Sequence, residues 1–181
     1  MSGETPKVRL ATVWLDGCSG CHMSFLDIDE RLIALAEKAD LVFSPLVDTK
    51  EFPDNVDVTL VEGAVSSEED REKIRLVRRR TKILVSLGDC AVTGNVPSMR
   101  NPYRPDVVLR RAYIENARPD SKIPTEVVPA LLARVRPVHE VVKVDVFIPG
   151  CPPSADTIFY TLSELVEGRS PDLTDRTRFG V

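Results

Sequence analysis

Four cysteines carry the chemical signal in this chain: Cys18 and Cys21 in LDGCSGC, Cys90 in LGDC and Cys151 in IPGCPP. Each follows an apolar, β-rich run, so each is expected in a loop just beyond the carboxyl end of a strand. In a parallel sheet those ends share one edge, which is where such folds bind ligands. Thiolates from three separated loops would then meet at one place and could close a metal site. Two blander readings stand beside this one. Four small buried hydrophobes would not all avoid strands and helices, and a thioredoxin-like dithiol at Cys18 and Cys21 leaves Cys90 and Cys151 unexplained. Zinc sites are often built from two close pairs, whereas here there is one pair and two solitary cysteines. Gly17, Gly20, Gly88 and Gly150 let the backbone bend around a bulky object and aim N–H groups at its sulfurs, while Pro152 and Pro153 stiffen the last loop. These residues favour a [4Fe–4S] cluster over zinc.

No separate catalytic centre is visible. The phosphate-loop pattern GxxxxGK[ST] and the dinucleotide pattern GxGxxG are both absent, and His22 and His139 lack the spacing of a metal-binding pair. His22 follows Cys21 directly and is either a hydrogen-bonding or proton-carrying neighbour of the site or a surface histidine at a helix start. Glu62 closes an apolar run on the same expected edge, where its carboxylate is a candidate for passing protons to a neighbouring site, with an N-cap or ion pair as the plainer role. Trp14 and Phe25 bracket the CxxC loop and are expected to pack there and exclude water.

The elements that must position these residues alternate strand with helix. Strands are expected at 8–14, 41–47, within VDVTLVEGAV, in KILVSLGDC and in VDVFIPGC. SFLDIDERLIALAEKA places Phe25, Ile28, Leu32, Leu35 and Ala36 on one helical face. In SSEEDREKIRLVRRR, Ser66 with Glu69 or Ser67 with Asp70 forms a capping signature, and acids lead while bases trail. Arg78, Arg79 and Arg80 are then a helix end complementing its dipole rather than a nucleic-acid patch. Ser154 caps ADTIFYTLSELVEG, which Gly168 ends. Residues 95–140 hold half of the chain's 14 prolines. They read as an irregular excursion with short helices around DVVLRRAYI and EVVPALLARV, and as a surface for a partner, with Tyr103, Val107 and Tyr113 at the interface.

The whole is an α/β chain: one flavodoxin-like, doubly wound domain over 1–181, its sheet mostly parallel with helices on both faces. Its 181 residues suffice for a single core without disulfides. A net charge of −4 argues against nucleic acid as the main ligand. No apolar run reaches the roughly 20 residues of a membrane span, and the start lacks a signal-peptide layout. A cytoplasmic chain is expected, where four cysteines are not disulfides.

The motifs WLDGCSGCHMSFLDIDE, LVEGAV, GDCAVTGNVPSMRN and IPGCPPSAD resemble the proximal-cluster motifs of [NiFe]-hydrogenase small subunits, above all the short small subunit of cytoplasmic NAD(P)-reducing (bidirectional) hydrogenases. The resemblance implies a flavodoxin-like chain with a single [4Fe–4S] cluster on Cys18, Cys21, Cys90 and Cys151. It implies a large subunit carrying the Ni–Fe centre and splitting hydrogen. It further implies a diaphorase pair, carrying FMN and more iron–sulfur clusters, that reduces NAD⁺. No cysteine remains for a second cluster or for nickel. FMN on the small subunit itself has been raised for the family, and no motif here decides it. The related quinone-reductase subunit has adjacent cysteines in its first motif, whereas Ser19 and Gly20 separate them here. Many hydrogenase small subunits carry an acid soon after CxxC. His22, Met23 and Ser24 stand there instead, leaving Glu62 as the proton-transfer candidate.

Overall fold

A computed structural model describes residues 6–177. The apolar runs form five parallel strands in one sheet: β1 (Val8–Trp14), β2 (Ala39–Phe43), β3 (Val56–Glu62), β5 (Thr81–Leu87) and β7 (Val146–Ile148). Their order is β2-β1-β3-β5-β7, every pairing parallel, which is the flavodoxin-like arrangement with its switch point between β1 and β3. A three-residue strand, β4 (Val65–Ser67), leaves the sheet after β3 and pairs antiparallel with β6 (Leu131–Arg136).

Alternation along the strands divides the core between the two faces of the sheet. On one side Leu10, Val58, Leu60, Val85, Leu87 and Ile148 meet Phe25 of α1 (Gly20–Leu26), Leu35 of α2 (Arg31–Lys38) and Ile158 and Leu162 of α7 (Ala155–Val166). On the other, Ala11, Val13, Val61 and Leu84 meet Ile74 and Val77 of α3 (Glu68–Arg80). The capping signature before α3 resolves to Ser67 and Asp70, whose side chains satisfy each other's backbone N–H groups. Ser154 caps α7 by accepting from the Thr157 N–H. At the end of α3, Arg78 reaches Asp145 and the backbone carbonyls of Thr81, Lys82 and Lys143, while Arg80 pairs with Asp54. Two of the three trailing arginines thus tie the helix to neighbouring loops.

Several boundaries depart from the sequence expectation. The helix expected across 24–39 is two helices, broken where Asp29 takes a left-handed conformation at φ 55°, so Ala36 ends up exposed while Ile28 is buried in the bend. The second strand begins earlier, at Ala39, and stops before Ser44. The last strand is only three residues long. The segment EVVPALLARV contains no helix. Leu131–Arg136 is a strand because Pro129 and Pro137 confine it, β4 offers it a partner, and the Asn101 side-chain amide pairs with both the N–H and the C=O of Val135. DVVLRRAYI does form helix, α6 (Pro105–Arg110), running on into a π-helical turn (Arg111–Glu115). Short α4 (Asp89–Thr93) and α5 (Asn95–Ser98) follow β5, and a 3₁₀ turn (Val138–Glu140) follows β6. Among the described residues no helix is long and apolar enough to cross a membrane.

Asp145 ties β5 to the β7 approach: its carboxylate accepts from the Leu84 N–H at 2.9 Å and from Arg78 at 2.5 Å. Burial pushes its pKa up, but the Leu84 N–H, Arg78 and Lys143 outweigh this and hold it below the usual carboxylate range. A carboxyl whose pKa is lower folded than unfolded adds stability above the unfolded value and loses it as pH falls through the folded one. Asp145→Asn is therefore expected to cost about 1–3 kcal/mol at neutral pH. In urea titrations the gap from the unaltered protein should shrink as pH falls below about 4, whereas a gap constant with pH would refute the assignment.

Candidate metal centre at the carboxyl edge of the sheet

The strands deliver their cysteines to one edge. After β1 the chain stays close to β3: the Leu15 N–H donates to the Glu62 carbonyl at 2.9 Å, and Asp16 exchanges backbone bonds with Ala64. Gly17 allows that approach, since a side chain there would press on Gly63. Cys18 is exposed at the tip. Ser19 turns the chain in the left-handed region, at φ 63°, and α1 begins, burying Cys21 in its first turn.

Gly88 follows β5 with φ 80°. Any β-carbon there would overlap the Cys21 sulfur, so this glycine is required by both its backbone conformation and its closeness to the thiol. Half-buried Cys90 comes next, in the first turn of α4, and exposed Cys151 follows Gly150 beyond β7. The two loops are laced together. The Asp89 N–H donates to the Gly150 carbonyl at 2.8 Å, and the Gly150 N–H donates to the Asp89 carboxylate at 2.7 Å. The Ser24 hydroxyl donates to the Pro153 carbonyl at 2.5 Å, binding α1 to the third loop.

The electrostatics follow from this crowding. Burial drives the Cys21 thiol far above its ordinary pKa, and Glu62, Cys90, Cys18 and Cys151 push it the same way. Cys90 is pushed up to about 11, first by burial and then by Cys151 and Cys18, with the Val96 N–H working against them. Metal ligation would remove the protons from such thiols, so binding of a metal here would release protons. Among the described residues no three His, Cys, Asp or Glu side chains are grouped closely enough to hold one metal ion.

The sequence placed Glu62 on this edge but assigned it no partner. The structure buries it almost completely, at 1% exposure, against His22 at 4%. Its carboxylate accepts from the His22 backbone N–H at 2.9 Å, and the same oxygen meets His22 Nδ1. On the far side of the ring, Nε2 lies 3.0 Å from the Thr12 hydroxyl, which donates to Ser44 at 2.8 Å. His22 is therefore an interior residue, not a surface one. Thr12 and Ser44 were missed; the available signal was a threonine within the apolar run VRLATVW. Phe25 packs as expected, at 4% exposure, but Trp14, at the end of β1, is 44% exposed. The His139 ring meets that of Phe147 edge-on. Cys21 and Cys90 occupy first turns of short helices rather than plain loops.

The same fold recurs in a known protein, and related sequences in several. The family model for the 20 kDa subunit of NADH ubiquinone oxidoreductase matches residues 18–165, from the first cysteine into α7, and the chain belongs to this family of iron–sulfur subunits. Within it the chain is a small subunit of the NAD-reducing [NiFe]-hydrogenase type. It is 47% identical over 172 residues to the NAD-reducing hydrogenase HoxS subunit delta of Cupriavidus necator, covering 92% of this chain and 82% of the relative. Its fold superposes with a TM-score of 0.92 on a chain of an NAD⁺-reducing [NiFe]-hydrogenase in the H2-reduced state, at 42% identity, covering 96% of this chain and 99% of that one. An iron–sulfur subunit of the F420-non-reducing hydrogenase of Archaeoglobus profundus is 31% identical over 184 residues, covering 91% of this chain; the chain spans 57% of that longer relative.

The Glu62 pairing gives a direct expectation. Glu62→Ala leaves the His22 N–H and ring without their acceptor in the interior, at a cost of about 1–3 kcal/mol. Glu62→Gln retains a carbonyl acceptor and should recover part of it. Denaturation midpoints of the two variants measure this, and an unchanged midpoint for Glu62→Ala would overturn the pairing.

Proposed function

We propose that this chain is the electron-transfer subunit of an NAD-reducing [NiFe]-hydrogenase, holding one [4Fe–4S] cluster through Cys18, Cys21, Cys90 and Cys151. Electrons released from hydrogen at the Ni–Fe centre of a large subunit would leave through this chain toward diaphorase subunits, carrying FMN and further iron–sulfur clusters, that reduce NAD⁺. The observation that carries the reading is that three loops leaving one sheet edge bear the four cysteines, with Gly88 stripped of a side chain where the Cys21 sulfur lies.

A [4Fe–4S] cluster bound there supplies one-electron chemistry. The chain's own residues supply the rest. Asp89, Ser24 and the Gly150 backbone fix the loops relative to one another. Cys21 and Phe25 present the buried wall, while Cys18 and Cys151 open outward. Glu62 and His22, with Thr12 and Ser44, form a buried hydrogen-bonded row beside the Cys21 loop, and Glu62 retains the proton-transfer role proposed for it at a neighbouring site. Four unpaired thiols suit the reducing cytoplasm, where we place the complex. Tyr103, Val107, Tyr113 and Ile114 are all more than 40% exposed along α6 and the turns beside it, and this stretch is assigned to a neighbouring subunit.

Anaerobically purified complex should contain four irons and four sulfides on this chain, as expected for one [4Fe–4S] cluster. Cys90→Ser is expected to remove that cluster and abolish hydrogen-dependent NAD⁺ reduction, while NADH-driven dye reduction by the diaphorase persists. Stoichiometric zinc without iron, or hydrogen-dependent reduction at full rate in the variant, would overturn the reading. The stretch at 103–114 should be cleaved by protease in the free chain and protected in the complex; equal cleavage would remove it from any interface.

A further inference from the structure

The turn Gly94–Asn95–Val96 has no role in gripping the loops, yet it lies against two of the four sulfurs. Gly94, left-handed at φ 87°, joins α4 to α5, and Asn95 is itself left-handed at φ 28°. The Ser98 hydroxyl donates to the Asn95 carbonyl at 2.7 Å and holds this turn. In that conformation the Asn95 side-chain amide donates to Cys151 Sγ across 3.5 Å. The neighbouring Val96 N–H bears on the Cys90 sulfur.

Cys151 needs such a donor more than its fellows do. The two residues after it are Pro152 and Pro153, which have no N–H to offer, and its side chain is exposed. A hydrogen bond to a ligand sulfur stabilises the state with more negative charge on that sulfur, the reduced one, and so raises the reduction potential. A subunit laid over this edge would exclude water from the bond and strengthen it.

We propose that Asn95 sets the reduction potential of the cluster by donating its side-chain amide to the Cys151 sulfur, acting as a positioning residue for the electron-transfer step. The proposal rests on the cluster reading given above.

Three variants separate this role from a purely structural one. Asn95→Ala removes the donor. Asn95→Asp keeps the shape and the tolerance of left-handed backbone but replaces the donor with a negative charge. Asn95→Gln keeps the amide on a longer arm. The whole hydrogenase complex is poised anaerobically at a series of potentials and read by EPR, with the signal lost in Cys90→Ser taken as this chain's cluster. At a potential where the unaltered cluster is half reduced, Asn95→Ala should lower the reduced-to-oxidised ratio about fivefold, as one neutral hydrogen bond is worth about 1 kcal/mol. Asn95→Asp should lower it further, and Asn95→Gln should restore part of it. Unchanged potentials in Asn95→Ala and Asn95→Asp with the cluster intact would overturn the inference while leaving the cluster reading in place. Unaltered complex without iron on this chain would overturn both.

If the variants fail to retain the cluster, the unaltered complex still decides. With asparagine side-chain nitrogens labelled with ¹⁵N, pulsed EPR of the reduced cluster should show a hyperfine coupling from one such nitrogen, and its absence would overturn the inference.

Discussion

The molecule depends on one line of backbone register. Trp14 pairs with Glu62, Glu62 with Leu87, and Leu87 with Ile148. Four adjacent strands therefore end at a common row, and the cysteine loops begin only a few residues beyond it. Because all of these strands run parallel, their carboxyl ends cannot be distributed between two edges. A one-residue slip in any pairing would turn its strand's core residues toward the other face, and burial of Leu60, Leu84 and Leu87 opposes this. Apolar packing along the strands, away from the cysteines themselves, thus fixes the row from which the cysteine loops depart.

Burial at that edge sets two opposing demands. Cys21 and Glu62 are driven into the interior by the same packing that brings the loops together, and both carry polar atoms that burial penalises. Glu62 meets the demand internally: its carboxylate takes the His22 N–H and the His22 ring, and the ring in turn reaches Thr12. The thiols do not. Burial first, and neighbouring acidic groups after it, raise the pKa values of Cys21 and Cys90. Under the proposed reading a bound metal would take the place of those protons and meet the demand that the protein leaves open.

Much of this was legible in the sequence because it rests on local chemistry. β-rich runs ending in Gly–Cys or near it, the Ser67–Asp70 cap and the Ser154 cap all express themselves within four residues. The parallel sheet and the shared edge follow from alternation and from the handedness of crossovers. What was not legible depends on partners distant in the chain. Leu131–Arg136 is a strand because β4 and Asn101 receive it, and apolar content alone made it look helical. His22 is interior because Glu62 and Thr12, from two other strands, close over it. Trp14 was expected to be covered because it brackets the CxxC loop with Phe25, but burial depends on what the fold places opposite the ring.

The four cysteines are not equally sheltered. Cys21 faces the core, Cys90 is half covered, and Cys18 and Cys151 face outward. An electron carrier gains from such asymmetry. A buried wall keeps water from one side of a redox group, while an open wall would let a neighbour approach the same group closely. Exposed Trp14 and Met23 lie beside that opening in the chain, and they are residues whose apolar surface favours a covering protein over water. On this view the chain leaves its edge unfinished. A protein laid over that opening would lower the dielectric around Cys18 and Cys151 and strengthen any hydrogen bond made to their sulfurs.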